Sequence, residues 1–133
     1  MKILINGTFD ILHLGHIMLL NKARAYKDST VFVLIDSDRR VKELKGSDRP
    51  FNSENERALL LANLKSVDMV EIFDSDMELE GIIKGISPDI MLKGSDYIGK
   101  KIIGAEYCKE VIFYERIKEF SSSEKIQRLL SRG

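Results

Sequence analysis

The two histidines of the 133-residue chain stand together near its start, in the segment His13-Leu14-Gly15-His16. Because they are three residues apart, they share one face of a helix that begins there. Imidazoles can donate hydrogen bonds to phosphate oxygens, and their proton is mobile near pH 7. The free N–H groups of a helix N-terminus also attract anions. This spacing therefore predicts a phosphate-binding centre at the start of the first helix.

The histidine segment lies between a predicted strand at residues 2–5 and a predicted helix at residues 15–27. Further apolar runs predict strands at 30–35, 67–73, 90–92 and 111–114, with helical segments between them. Strands that alternate with helices are typical of a parallel sheet. We therefore expect an α/β, Rossmann-like fold: one domain over residues 1–133, with an open parallel five-stranded sheet and helices on both faces.

Two of the predicted helices have recognisable N-caps. Ser53 or Asn52 can cap a helix whose first turn is acidic, and Ser121 can cap a last helix. The helix after Ser53 is expected to bury four residues of its apolar side, namely Leu59, Leu60, Ala62 and Leu64.

In open α/β sheets, ligands bind outside the carboxyl ends of the strands. We therefore expect the loops at 6–16, 36–50, 93–100 and 115–123 to form the binding site. These loops supply cations suited to a triphosphate, a carboxylate, and serine hydroxyls at a helix start: Lys42, Lys45, Arg49, Lys93, Asp96, Arg116, Ser121, Ser122 and Ser123. Each has a simpler alternative, as a solvated charge, an Asx turn or a helix cap.

Bulk composition limits the classes of function. Lysine and arginine together number 21, as do aspartate and glutamate, so the formal net charge is zero. This balance argues against a nucleic-acid binder that relies on a broad basic field. Cys108 is the single cysteine, which excludes an intrachain disulfide and a cysteine-based zinc site. Without a signal peptide or an apolar run of membrane-spanning length, we expect a cytoplasmic protein.

The segment from Gly7-Thr8-Phe9-Asp10 to His13-Leu14-Gly15-His16 resembles the signature of the cytidylyltransferase-like nucleotidyltransferases. The chain resembles the heptose-phosphate adenylyltransferases in this motif and in further segments along its length: Ser37-Asp38, Leu44-Lys45-Gly46, Arg49-Pro50, Pro88-Asp89, Lys93-Gly94-Ser95-Asp96-Tyr97 and Gly104-Ala105-Glu106. Thr8, however, is closer to the glycerol-3-phosphate cytidylyltransferase version, since heptose enzymes tend to carry cysteine there.

The resemblance implies roles for individual residues. His13 and His16 would lie at the transferring phosphate, with Lys45 and Arg57 on the triphosphate; from the residues alone, Arg57 would be a surface salt-bridge partner. Asp10 would lie near the reacting centre, and Mg²⁺ would be held through the triphosphate, with Asp10 as a candidate ligand. The nucleotide would be bound by Gly7, Thr8, Phe9, Asp10, Gly15, Lys93, Asp96, Arg116, Ser121, Ser122 and Ser123.

The implied reaction joins a nucleoside monophosphate from a nucleoside triphosphate to a sugar or polyol phosphate and releases pyrophosphate. ATP with heptose 1-phosphate, giving ADP-heptose, is the first expectation. CTP with glycerol 3-phosphate is the alternative within the class. A nucleotide-binding module without catalysis is an alternative of another class, and an RNA-binding module is a weaker one. The resemblance also implies a homodimer.

Overall fold

The computed structural model describes residues 1–115 and Arg128. Five strands form a single sheet in the order β3-β2-β1-β4-β5, and every neighbouring pair is parallel. The strands are β1 (Lys2–Gly7), β2 (Thr30–Asp36), β3 (Met69–Phe73), β4 (Ile90–Gly94) and β5 (Glu110–Tyr114). The predicted fold class is confirmed, and each predicted strand agrees with the observed one to within two residues at either end.

Four helices connect the strands, and two short 3₁₀ turns, Ser95–Tyr97 and Ala105–Tyr107, lie between β4 and β5. The helices are α1 (Leu14–Arg24), α2 (Asp38–Lys45), α3 (Glu54–Ala62) and α4 (Asp76–Ile86). Three of them are preceded by a serine N-cap whose side chain accepts a backbone N–H of the first turn: Ser37, Ser53 and Ser75. The helix predicted after Ser121 lies outside the described residues.

Successive side chains of β1 point to opposite faces of the sheet, so both faces are apolar and both are covered by helices. Ile3 and Ile5 pack in one cluster with Leu20 of α1 and Leu61 of α3. On the other face, a second cluster joins the residues Leu4, Leu34, Phe73, Leu79, Ile83 and Met91, in which Leu79 and Ile83 come from α4. Within the described part of the chain, no helix is long and apolar enough to cross a membrane.

The predicted buried face of α3 is wrong. Leu59 and Leu60 are 66% and 43% exposed, while the fully buried residues of this helix are Arg57 and Leu61. Ala62 is exposed and Leu64 is only half-buried. The helix is rotated from the apolar pattern because a charged side chain, Arg57, lies on its inward face and is buried among hydrogen-bond acceptors at the carboxyl ends of the strands.

Candidate active site

The strand order changes direction between β1 and β4, so the loops after these two strands flank the crevice where α/β sheets bind ligands. Lys93 is the penultimate residue of β4 and is 9% exposed. Its Nζ donates to Oδ1 of Asn6, at 3.1 Å, and lies 4.4 Å from the ring centroid of Tyr97. The structure thus places a cation at the point where a bound nucleotide is expected.

The two histidines form a stacked pair at the start of α1. Their ring centroids are 3.8 Å apart, and the ring planes are inclined by 27°. His13 is the N-cap, and its Nδ1 accepts the N–H of Gly15 at 3.1 Å. The backbone N–H of His13 in turn donates to Nδ1 of His16 at 3.3 Å. Because each Nδ1 is an acceptor, the neutral imidazoles carry their proton on Nε2, which makes Nε2 the donor to a ligand.

This capping arrangement changes how an anion would be held. The N–H of Gly15 is capped by an imidazole, and the N–H groups of His16 and Ile17 both donate to the carbonyl of His13. The expectation that free helix N–H groups face the phosphate is therefore not met at these three residues. The structure offers the histidine side chains instead, with the positive end of the α1 dipole behind them.

Phe9 supports the histidine pair from the core. Its φ of +51° lies in the left-handed region, which is unusual for a residue with a side chain. The Phe9 ring is 6% exposed, and its centroid lies 4.9 Å from that of His16. A Cβ built on Gly7 would come within 3.2 Å of this ring, so glycine lets the ring lie against the strand end. Little of Phe9 is therefore exposed for the nucleotide contact that is predicted for it.

Asp10 holds protein backbone with both of its carboxylate oxygens. Oδ2 accepts the N–H of Phe51 at 2.7 Å, and Oδ1 accepts the N–H of Asn52 at 2.8 Å. The side chain of Asn52 returns a hydrogen bond from Nδ2 to the Asp10 carbonyl at 2.8 Å. Asp10 is 4% exposed. Its oxygens fix the loop before α3, and the role near the reacting centre that the resemblance implies stays a prediction.

Arg57 is fully buried, at 0% exposure. Nε donates to the carbonyl of Asn52 at 3.0 Å, and Nη1 donates to the carbonyls of Thr8 and Asp36, each at 2.9 Å. Nη2 donates to Oδ1 of Asp38 at 2.8 Å. The guanidinium thus holds three loops together, and its full burial shows that the interpretation from the residues alone, a surface salt-bridge partner, is wrong. The role on the triphosphate that the family resemblance implies stays a prediction.

The remaining predicted residues lie at the surface or outside the described residues. Lys45 is exposed at the last position of α2, and Asp96 is exposed in the turn after β4. Nζ of Lys42 donates to the carbonyl of Arg49 at 3.1 Å and so joins α2 to the loop that follows it. The other predicted nucleotide-binding residues lie outside the described residues: Arg116, Ser121, Ser122 and Ser123.

An ionic cluster joins α2 to the carboxyl ends of β2 and β3 and to the start of α4, and the sequence pattern did not predict it. Oγ of Ser37 donates to Asp74, and this bond, together with the Arg39 guanidinium, holds the pKa of Asp74 below its ordinary value. Arg40 pairs with Asp36 and Asp76, and these carboxylates raise its pKa in spite of its partial burial. The only sequence signal for this cluster is the charge density of α2, which is also typical of a solvated helix.

A metal ion would have few protein ligands here. Over residues 1–115 and Arg128, no group of three or more histidine, cysteine, aspartate or glutamate side chains could hold one. Both oxygens of Asp10 already accept backbone N–H groups. This donor set fits a cation that is bound mainly by the oxygens of a triphosphate better than it fits a metal site built by the protein.

Comparison with known proteins agrees with the motif. The family model described as "Cytidylyltransferase-like" matches residues 4–128. The bifunctional protein HldE of Campylobacter fetus subsp. fetus is 47% identical over 124 residues, which cover 93% of this chain and 27% of that protein. HldE of Helicobacter hepaticus is 48% identical over 126 residues, covering 92% of this chain and 26% of that protein. The chain thus spans about a quarter of the length of these relatives.

A solved structure supports the fold independently. It belongs to the lipopolysaccharide core biosynthesis protein of Thermoplasma volcanium GSS1, with a TM-score of 0.68 and 22% sequence identity. The similarity covers 88% of this chain and 98% of that one. At this level of identity the match shows a shared fold alone.

Proposed function

Because the chain belongs to the cytidylyltransferase-like family, we propose that it transfers a nucleoside monophosphate from a nucleoside triphosphate to the phosphate of a sugar. The observation that carries this proposal is the stacked His13–His16 pair at the carboxyl edge of the sheet. The capping bonds orient both side chains before any ligand arrives, and such preorganised donors stabilise charge that develops during phosphoryl transfer.

In the proposed reaction, an oxygen of the acceptor phosphate attacks the α-phosphorus of the triphosphate. The bond from the α-phosphorus to the bridging oxygen breaks, and pyrophosphate leaves with that oxygen and its electron pair. A phosphate monoester is already a nucleophile, so the protein needs to supply position and charge stabilisation only. His13 and His16 would donate from Nε2 to the oxygens of the transferring phosphoryl group.

The cations around the crevice would hold the rest of the triphosphate. Lys45, exposed at the end of α2, would reach the departing pyrophosphate, and Lys93 would bind the nucleotide beside β4. Mg²⁺ would neutralise part of the triphosphate charge when it is bound, and we expect its ligands to be mainly phosphate oxygens. By family resemblance we also expect a homodimer, which sedimentation velocity will test.

We propose ATP and heptose 1-phosphate as the substrates, with ADP-heptose as the product. The resemblance to heptose-phosphate adenylyltransferases supports this choice, and relatives named bifunctional protein HldE are 43–48% identical to the chain. The motif Lys93-Gly94-Ser95-Asp96-Tyr97 after β4 supports it as well. Thr8 favours the competing pair, CTP and glycerol 3-phosphate.

The test is a pyrophosphate-release assay that crosses ATP and CTP with heptose 1-phosphate and glycerol 3-phosphate, with and without Mg²⁺. We expect turnover with ATP and the heptose. Turnover confined to CTP and glycerol 3-phosphate would overturn the substrate assignment but retain the reaction class. If no pair reacts while ATP still binds by calorimetry, the chain is a nucleotide-binding module and the proposed function is wrong.

A further inference from the structure

A hydrogen-bond network adjoins the turn at Phe9 and is formed by the buried side chains of Asp10 and Arg57 and the half-buried side chain of Asn52; we term it the loop brace. Four hydrogen bonds join residues 8–10 to residues 51–57: two to the Asp10 carboxylate, one from the Asn52 amide and one from the Arg57 guanidinium. Two more, from Arg57 to the carbonyl of Asp36 and to Asp38, attach the start of α2.

The loop brace holds both sides of the strained turn at Phe9. The carbonyl of Thr8, just before Phe9, accepts from Arg57, and the carbonyl of Asp10, just after it, accepts from Asn52. A left-handed conformation at a bulky residue persists only where its surroundings impose it. Because the Phe9 ring contacts His16, the network that imposes this turn also determines where the imidazole stands.

We propose that Asn52 and Arg57 are positioning residues for nucleotidyl transfer, which act through the Phe9 turn on His13 and His16. This inference rests on the proposed function for its catalytic part. Arg57 is unsuited to direct phosphate contact here, because its guanidinium is fully buried and already donates to four acceptors. A phosphate could reach it only after the network that holds the histidines is broken.

Asn52 allows a test with a matched control. Asn52→Ala removes the 2.8 Å hydrogen bond from Nδ2 to the Asp10 carbonyl. In Asn63→Ala a bond of the same kind and length is lost, from Nδ2 to the carbonyl of Leu59, at the exposed end of α3. We expect kcat to fall about tenfold in Asn52→Ala, with KM for the triphosphate within about twofold, and neither value to change in Asn63→Ala.

Arg57→Lys separates positioning from ligand binding. Lysine retains a charge but cannot bridge four acceptors, so we expect kcat to fall about 100-fold while the Kd for ATP changes little. A rise of about tenfold or more in the Kd for ATP, with kcat retained, would identify Arg57 as a phosphate ligand and overturn the proposal. Equal kcat values in Asn52→Ala and Asn63→Ala would overturn it too.

A second readout is independent of turnover. The chain has only two histidines, so imidazole NMR signals report on His13 and His16 alone. We expect these signals to move in Asn52→Ala and to keep their positions in Asn63→Ala; unmoved signals in both variants would overturn the proposal. If the wild-type chain turns over no substrate pair, the proposed function fails, and the histidine signals still decide whether the loop brace positions the pair.

Discussion

The amino ends of the parallel strands form one edge of the sheet, the amino edge, and their carboxyl ends form the other, the carboxyl edge. Each edge is held by hydrogen bonds of an arginine and an aspartate, but the burial of these residues differs. At the amino edge, Arg24 donates to the carbonyl of Ser29 at 2.7 Å and to Asp68 at 2.6 Å. Asp68 in turn accepts the N–H of Val31, the second residue of β2, at 2.7 Å. At the carboxyl edge, Arg57 and Asp10 bind carbonyl and N–H groups of the loops in the same manner.

Burial is what separates the two edges. The side chains of Arg24 and Asp68 are 35% and 38% exposed, whereas Arg57 is fully buried. Exposed ion pairs contribute little because water competes for both partners. Buried polar groups must be hydrogen-bonded, and no buried side-chain nitrogen or oxygen in the described part of the chain lacks a partner. The same chemistry thus ties helix α1 to the start of β2 at one edge and holds the loops beside the histidine pair at the other.

The largest effect is expected at the histidine pair of the carboxyl edge. Serine is a good N-cap, so His13→Ser retains the capping of α1, and alanine at position 16 keeps a high helix propensity. Each variant removes the imidazole Nε2–H donor and should lower pyrophosphate release by about 10²–10³-fold while the chain stays folded. Met18→Ala, at an exposed position of α1, is the control. Near-normal turnover in a folded His16→Ala variant would contradict the mechanism.

Removing one aspartate from each edge should produce unequal losses of stability. In Asp10→Ala two backbone N–H groups lose their acceptor, and the free energy of unfolding should fall by about 1–3 kcal/mol. In Asp68→Ala water can replace the lost carboxylate, and we expect a loss below about 1 kcal/mol. Urea denaturation measures both values. Equal losses would show that burial does not distinguish the two edges.

The smallest effect is a pH dependence at the amino edge. The N–H of Lys2 and the ammonium group of Lys109 hold the pKa of Asp89 below its ordinary value. A lowered folded-state pKa gives stability that is present above the unfolded pKa and is lost as the pH falls through the folded value. Asp89→Asn should therefore weaken the fall in melting temperature below about pH 4.

The control for Asp89→Asn is Asp28→Asn, at an exposed aspartate of the same edge. Identical melting temperatures of Asp89→Asn and the wild type at every pH would show that Asp89 does not contribute to the pH dependence of stability.

Much of the fold and part of the site could be predicted from local sequence. Continuous apolar runs predicted the strands, because a strand buried on both faces needs an apolar residue at nearly every position. The cap of α3, predicted at Ser53 or Asn52, is Ser53, since its hydroxyl can accept a free N–H group of the first turn. The spacing of His13 and His16 indicated a shared helix face, which the stacked rings confirm.

The inward face of α3 shows where local pattern fails. Leucines at 59 and 60 looked like core residues, yet Leu61 and Arg57 are the ones that are buried. Propensity and hydrophobicity carry no information about which acceptors a distant loop will present. The carbonyls of Thr8, Asp36 and Asn52 lie far apart in sequence and surround one guanidinium only after the sheet has formed.

By itself, then, the sequence determined the order of strands and helices, the histidine pair and the family to which the chain belongs. These depend on residue type and short spacing, which local physical chemistry can interpret. Only the tertiary structure decided that Arg57 faces inward and that Asp10 holds a loop. Such roles depend on hydrogen bonds between segments about 40 residues apart, and a buried polar group takes whichever partner the fold brings within reach.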